Sequence, residues 1–134
     1  MKFYRLLHLT ALFCLFPVLA SAQQPPQTKE DVEKQTLEYI DKEVQRLSTL
    51  LDLEYWQEFY VDSTLTHDLN ALNEELMSMR VAKVENTDLY IGVQDKWMEQ
   101  IDKSYKRFFT PEQWAKYWKA GGKRAQQARD KRKK

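Results

Sequence analysis

Between Thr28 and Pro111 the chain carries no proline, and its apolar residues recur at spacings of three and four. That rhythm belongs to helices that bury one face and solvate the other. Thr28-Lys29-Glu30-Asp31 reads as the first helix start, because the threonine hydroxyl can accept a free backbone N–H while acids in the first turn meet the positive end of the helix dipole. This helix is expected to run to about Ser48. Val32, Tyr39, Ile40, Val44, Leu47 and Leu51 lie along one stripe, with Lys29, Glu33, Lys34, Asp41, Lys42 and Arg46 on the other side.

A second helix is expected from the region of Asp52 to Glu54 to about Glu85, a span of roughly 45 Å at the α-helical rise. Leu65, Leu69, Leu72, Leu76 and Met79 give it an uninterrupted seam for a partner. Asn86 to Asp88 should form the reversal, since Asn tolerates the left-handed conformation and Thr87 or Asp88 can cap the next helix. The third helix continues the pattern with Tyr90, Gln94, Trp97, Ile101, Tyr105 and Phe108, so that helices two and three can zip into an antiparallel hairpin. Gly92 costs about 1 kcal/mol against alanine there. It either permits a close backbone approach or is simply tolerated.

The final helix has the clearest boundary. Thr110-Pro111-Glu112-Gln113 combines a capping threonine, a proline where its missing N–H costs nothing, and a glutamine placed to reach back to the cap. Trp114, Tyr117 and Trp118 then make an aromatic face, and Gly121-Gly122 is expected to end the helix. Beyond it lies a segment that is helix-capable by composition but has no apolar face to bury. The expected fold is therefore all-α, an elongated bundle of about four helices containing a long antiparallel hairpin.

The N-terminal segment has a different character. Lys2 and Arg5 precede an almost wholly apolar run from Leu6 to Leu19, which leads into the small residues Ala20-Ser21-Ala22. This is the composition of a cleavable export signal, with the mature chain starting at Gln23. His8 and Pro17 interrupt the run, which is also shorter than the about 20 residues of a membrane-spanning helix. Cys14 comes after the bulky Phe13, which disfavours a lipid-attachment site. The expected organisation is a signal peptide at 1–22, an extended leader at 23–27, a helical domain at 28–122 and a basic tail at 123–134. Export places the protein in the periplasm, with full secretion also open.

Removal of that segment takes away the single cysteine and so excludes disulfides, thiol catalysis and thiolate metal sites from the mature chain. The three glycines, Gly92, Gly121 and Gly122, form no phosphate-cradling loop. Neither ATP-driven work nor any cofactor is expected. The whole chain has 21 basic and 20 acidic side chains, and the mature part 19 and 20. Seven of those basic groups fall in the last twelve residues against Asp130 alone, which leaves 12 basic and 19 acidic groups in the body. An acidic body thus carries a basic tail.

Two segments share a plan, Leu51-Asp52-Leu53-Glu54-Tyr55-Trp56-Gln57 and Phe108-Phe109-Thr110-Pro111-Glu112-Gln113. Each sets an apolar residue before a helix start and a glutamine four positions later. This resembles the LTxxQ repeat of the Spy/CpxP family of periplasmic chaperones and stress-response proteins. The export signal and basic C-terminal segment are similar too, so the likeness spans most of the mature chain. In the second copy Phe109 replaces leucine, while Thr110 and Gln113 match. The first copy keeps Leu53 and Gln57 but has Glu54 in place of threonine, so that either Glu54 or Asp52 is left to cap. The resemblance implies a cradle-shaped helical homodimer that binds unfolded or aggregation-prone polypeptides without ATP.

The aromatics Trp56, Phe59, Tyr60, Trp97, Phe108, Phe109, Trp114, Tyr117 and Trp118 read mostly as core, with Trp114 and Trp118 as anchors of the core or of a dimer. His67, Asp68, Glu74 and Glu75 read as a solvated face, because a transition-metal site needs more nitrogen or sulfur ligands. No pair of acids is isolated for acid–base chemistry, and no enzyme activity is expected. The tail, including Lys123, Arg124 and Arg129, is a solubilising end, an arm for weak contact with anionic membrane surfaces, or a nonspecific polyanion binder. No specific nucleic-acid partner is expected of an exported protein. The functional expectation is a chaperone-like binder of unfolded or envelope polypeptides, with an adaptor docking on one envelope partner as the alternative.

Overall fold

The computed structural model describes residues 28–134, so the expected export signal and leader lie outside the described residues. The chain is all helical in this range: α1 (Lys29–Leu51), α2 (Tyr55–Val81), α3 (Thr87–Phe108), α4 (Pro111–Tyr117) and α5 (Lys123–Arg132). A kinked connection over Trp118–Gly122, with Gly121 outside helical geometry, joins α4 to α5. No helix of the described residues is long and apolar enough to cross a membrane.

Local chemistry sets each boundary. Thr28 caps α1 reciprocally: its Oγ1 accepts the Asp31 N–H at 3.1 Å and its own N–H donates to Asp31 Oδ2 at 3.0 Å. The helix runs three residues past the expected end and stops at Asp52, whose left-handed backbone (φ 52°) reverses the chain. Asp52 therefore terminates α1 and does not cap α2; Glu54 is the residue at that cap. At the next corner Lys83 takes the left-handed conformation (φ 54°), and α2 ends at Val81, short of the expected Glu85. Asn86 is extended and caps α3 by accepting the Asp88 N–H at 2.9 Å, the role expected of Thr87 or Asp88.

α1, α2 and α3 form two successive antiparallel hairpins. Gln57 on α2 meets Phe108 of α3, Glu75 meets Trp97, and the Tyr90 hydroxyl donates to the Val84 carbonyl. Asn73 Nδ2 donates to Thr36 Oγ1 across the α1–α2 pair at 2.9 Å. The core is Ile40, Leu47 and Leu51 from α1, Val61, Leu65, Leu69 and Leu72 from α2, Ile101 and Tyr105 from α3, and Phe109. Leu76, Val93, Trp97, Met98 and Tyr117 pack against it. Of the expected seam positions Tyr39 and Gln94 are exposed, Val32, Met79 and Tyr90 are half-buried outside the core, and Val93 and Met98 flank the α3 seam. A Cβ at Gly92 would meet nothing within 4 Å, so this glycine serves no close approach and is tolerated.

The chain after Gly121-Gly122 departs most from expectation. Gly121 breaks the helix, as expected, but a further helix follows where a tail was expected. Gly121 kinks the chain with φ 156°, a conformation closed to most side chains, and buried Gly122 lets the turn close on Tyr117, whose ring carbon lies 3.0 Å from where a Cβ would stand. α5 then runs antiparallel to α3. It has no apolar face, as expected, but it docks by charge. Arg129 pairs with Asp102, Arg132 holds Asp95 through two hydrogen bonds at 2.8 and 2.6 Å, and Lys133 pairs with Glu99.

Tyr105 is 1 % exposed and its hydroxyl has no hydrogen-bond partner among the described residues. Burial raises its pKa far above that of a free phenol, and burial together with the hydrogen bond to Asp102 does the same for Tyr117. Both groups favour the folded state only while neutral. Their contribution is complete below about pH 10, the value for an unfolded tyrosine, and is lost as the pH rises beyond it. Tyr105→Phe removes an unsatisfied polar atom without opening a cavity, and is expected to stabilise the fold by about 1 kcal/mol in urea unfolding and to flatten the loss of stability above about pH 10. A destabilised variant would show that the hydroxyl is bonded.

Candidate functional site: a glutamine node beside an exposed aromatic face

Gln57 and Gln113 both occupy the third position of their helices, so each side chain can turn back to its own N-cap. Gln57 Oε1 accepts the Glu54 N–H at 3.0 Å, and Gln113 Oε1 accepts the Thr110 N–H at 2.9 Å. Thr110 Oγ1 completes its box by accepting the Gln113 N–H at 3.2 Å. Fifty-six positions apart in sequence, the two amides then bond each other: Gln57 Nε2 donates to Gln113 Oε1 at 2.7 Å, and Gln113 Nε2 returns the bond to Gln57 Oε1 at 3.0 Å.

Each amide has one N–H left, and each gives it to the end of another helix. Gln57 donates to the Phe108 carbonyl at 2.9 Å, at the end of α3, while Gln113 donates to the Leu51 carbonyl at 3.3 Å, at the end of α1. Two donors and two acceptors are thus satisfied on both side chains, the full capacity of a primary amide. The orientations are forced, because only oxygen can take the cap N–H groups and only nitrogen can serve the carbonyls. One node joins the C-terminal ends of α1 and α3 to the N-terminal starts of α2 and α4. Gln57 is 1 % exposed, so a missing partner could not be replaced by water.

The remaining motif residues close around this node. Leu53 packs on the core, and Phe109 is buried within it, 5.1 Å from the rings of Tyr105 and Phe108. Trp114 and Trp118 stack at 5.6 Å and are half-buried, with Lys106 Nζ 5.7 Å above the Trp114 ring. Trp114 packs against the core, and Trp118 is held by its stack on Trp114.

The free aromatic surface lies elsewhere. Immediately after the node, Tyr55, Trp56, Phe59 and Tyr60 are 87, 49, 62 and 52 % exposed. Trp56 and Phe59 each meet Tyr60 edge-on at 6.0 Å, and Tyr60 lies 5.8 Å from Phe108, so the cluster is held in place at its rear. This corrects the expectation that Trp56, Phe59 and Tyr60 belong to the core. The signal for their exposure is a second apolar stripe: Gln57, Val61 and Leu65 already occupy the buried side of α2, which leaves positions 55, 56, 59 and 60 facing away.

The basic segment is also redistributed. Arg129 is 5 % exposed, and its partner Asp102 also accepts the Tyr117 hydroxyl at 2.5 Å, so Arg129 is a fastening and not a free contact residue. Lys123 and Arg124 are exposed and form no ion pair among the described residues. The Arg132 guanidinium holds the Asp95 carboxyl below its ordinary range. Asp68, expected in solvent, is buried. His67 Nδ1 lies 2.8 Å from its Oδ1, and the other oxygen has no partner among the described residues; Asp68 is one of the residues lining a groove of about 720 Å³ formed by α2, α3 and the end of the C-terminal segment. Glu75 binds Lys96 and the Trp97 indole N–H. Among the described residues no group of three or more His, Cys, Asp or Glu side chains is arranged to hold a metal ion.

Loss of either amide should be felt in stability. Gln57→Ala is expected to cost about 2 kcal/mol in chemical unfolding, because it strips partners from two helix ends at a buried point. Gln57→Glu should be at least as damaging at neutral pH, since a carboxylate cannot donate to Phe108, and should recover as acid restores a proton. For α5, the depressed Asp95 pKa means its contribution is complete above about pH 4 and is lost as the pH falls below it. The hydrogen-exchange protection factors of residues 123–132, taken relative to intrinsic exchange at each pH, should therefore fall near pH 3 and in about 1 M salt, whereas protection unchanged by both would exclude charge as the fastening.

No protein family, no curated protein and no solved structure matches this chain, so its functional reading rests on the node, the aromatic face and the docked basic helix.

Proposed function

We propose that this is an exported, non-enzymatic binding protein of the chaperone type, resembling Spy/CpxP proteins, that holds unfolded or envelope polypeptides without ATP. The observation that carries the reading is the exposed cluster of Tyr55, Trp56, Phe59 and Tyr60 on a helix whose first turn is fixed by the node. Exposed single aromatics are ordinary, but four within six residues make a contiguous amphipathic surface of the kind that binds other chains. Tyrosine and tryptophan have few rotatable bonds, so contact through them sacrifices little entropy. The two glutamines of the LTxxQ-like segments support the same reading, because they make one structural unit next to this surface.

Binding of this kind needs no chemical step. Contacts that are broad and modest in strength let a client leave without an energy source. The purified mature protein, at equimolar amount and without nucleotide, is expected to suppress aggregation of a chemically denatured client. Tyr55→Ser/Phe59→Ser should lose at least about half of that suppression with helical content unchanged. Absence of protection by the wild-type protein would refute the proposal.

A further inference from the structure

The aromatic cluster sits at one end of a long stretch of one-signed charge. From Leu47 to Met79 there is no lysine or arginine, while seven acids occur: Asp52, Glu54, Glu58, Asp62, Asp68, Glu74 and Glu75. Most of these remain uncompensated in the fold. Glu75 pairs with Lys96 and Asp68 with His67, whereas Asp52, Glu54, Glu58, Asp62 and Glu74 form no ion pair among the described residues. Three of the four acids of α3, Asp95, Glu99 and Asp102, are each matched by a cation from the C-terminal segment, while Asp88 forms no ion pair among the described residues.

The outer side of α2 continues from the aromatics into a shallow groove of about 520 Å³, edged by Asp62, Thr66, His67, Asn70 and Glu74. From Tyr55 to Glu74 this face is about 28 Å long at the helical rise. The tryptophans give an internal comparison. Lys96 Nζ lies 5.2 Å from the Trp97 ring and Lys106 Nζ 5.7 Å from Trp114; no cation lies over Trp118 or Trp56 among the described residues, and of these two Trp118 is stacked on Trp114 while Trp56 is 49 % exposed. An exposed indole on a helix that also carries unpaired carboxylates lets one foreign cationic segment gain both cation–π and ionic attraction.

We infer that the outer face of α2 docks a cationic, apolar-bearing polypeptide segment, its apolar side chains on Tyr55, Trp56 and Phe59 and its basic ones toward Asp62 and Glu74, whereas Glu58 accepts the Ser48 hydroxyl of α1. This rests on the proposed polypeptide-binding function and specifies the class of segment. Charge sets which chains are captured, and the rings supply contact area. A segment of equal hydropathy but opposite charge meets the same rings and is repelled by the acids around them.

The test uses the mature protein and three dye-labelled amphipathic peptides of about 18 residues, identical except for lysine, glutamine or glutamate at the polar positions, with binding read by fluorescence anisotropy. In low salt the lysine peptide should bind at least about tenfold more tightly than the glutamine peptide, and the gap should shrink in about 0.5 M salt. Asp62→Asn/Glu74→Gln should narrow the gap at least about threefold, and Phe59→Ser should weaken all three peptides, with circular dichroism unchanged. Equal binding of the three peptides, or a gap untouched by Asp62→Asn/Glu74→Gln, would overturn the inference. So would a wild-type dimer that Tyr55→Ser/Phe59→Ser converts to monomer, because a second copy would then own the face. Suppression of aggregation without charge preference leaves the proposed function standing and removes this inference. Charge-selective peptide capture without suppression does the reverse.

Discussion

A buried primary amide such as that of Gln57 must find four hydrogen bonds or lose stability, and paired with the half-buried amide of Gln113 it meets that demand only with help from the backbone around them. Gln57 and Gln113 do so by drawing in the N–H groups that open α2 and α4 and the carbonyls that close α1 and α3. Ends of helices are where unpaired backbone groups collect, and this node resolves several of them at one point. The antiparallel hairpins, the stacked Trp114–Trp118 corner and the direction in which α2 leaves the node all depend on that arrangement.

Rigidity at the node has a consequence for the surface. Tyr55, Trp56, Phe59 and Tyr60 stand directly on the fixed turn, so their exposure does not depend on a mobile loop. The C-terminal segment is fastened through Asp95, Glu99 and Asp102 of α3, while Asp62 and Glu74 on α2 form no ion pair among the described residues. The chain thereby separates two uses of charge. Pairing on α3 builds the fold, and unpaired carboxylates on α2 remain available to a partner.

Much of this architecture is legible in the residue pattern. The seam from Leu65 to Leu76, the start at Thr28 and the Thr110-Pro111 boundary each express a single strong local preference, and each stands where the spacing puts it. The motif glutamines are legible as cap residues but not as partners, because a bond across 56 positions leaves no trace in local spacing. The α2 aromatics are misread by the pattern because a large ring counts as apolar wherever it lies, and only the prior claim of Gln57, Val61 and Leu65 on the inner side turns it outward. The docking of α5 is hidden for another reason: it is held by ion pairs between segments about 30 residues apart, and charges on a helix read equally well as a solvated face.

The most direct test of the node is a double-mutant cycle on its two amides, with Gln57→Ala, Gln113→Ala and the double variant compared by chemical unfolding. If the side chains act as one unit, the double variant should cost little more than the worse single one, a coupling of at least about 1 kcal/mol. Costs that simply add would mean that each glutamine caps its own helix independently and that the two segments are not joined.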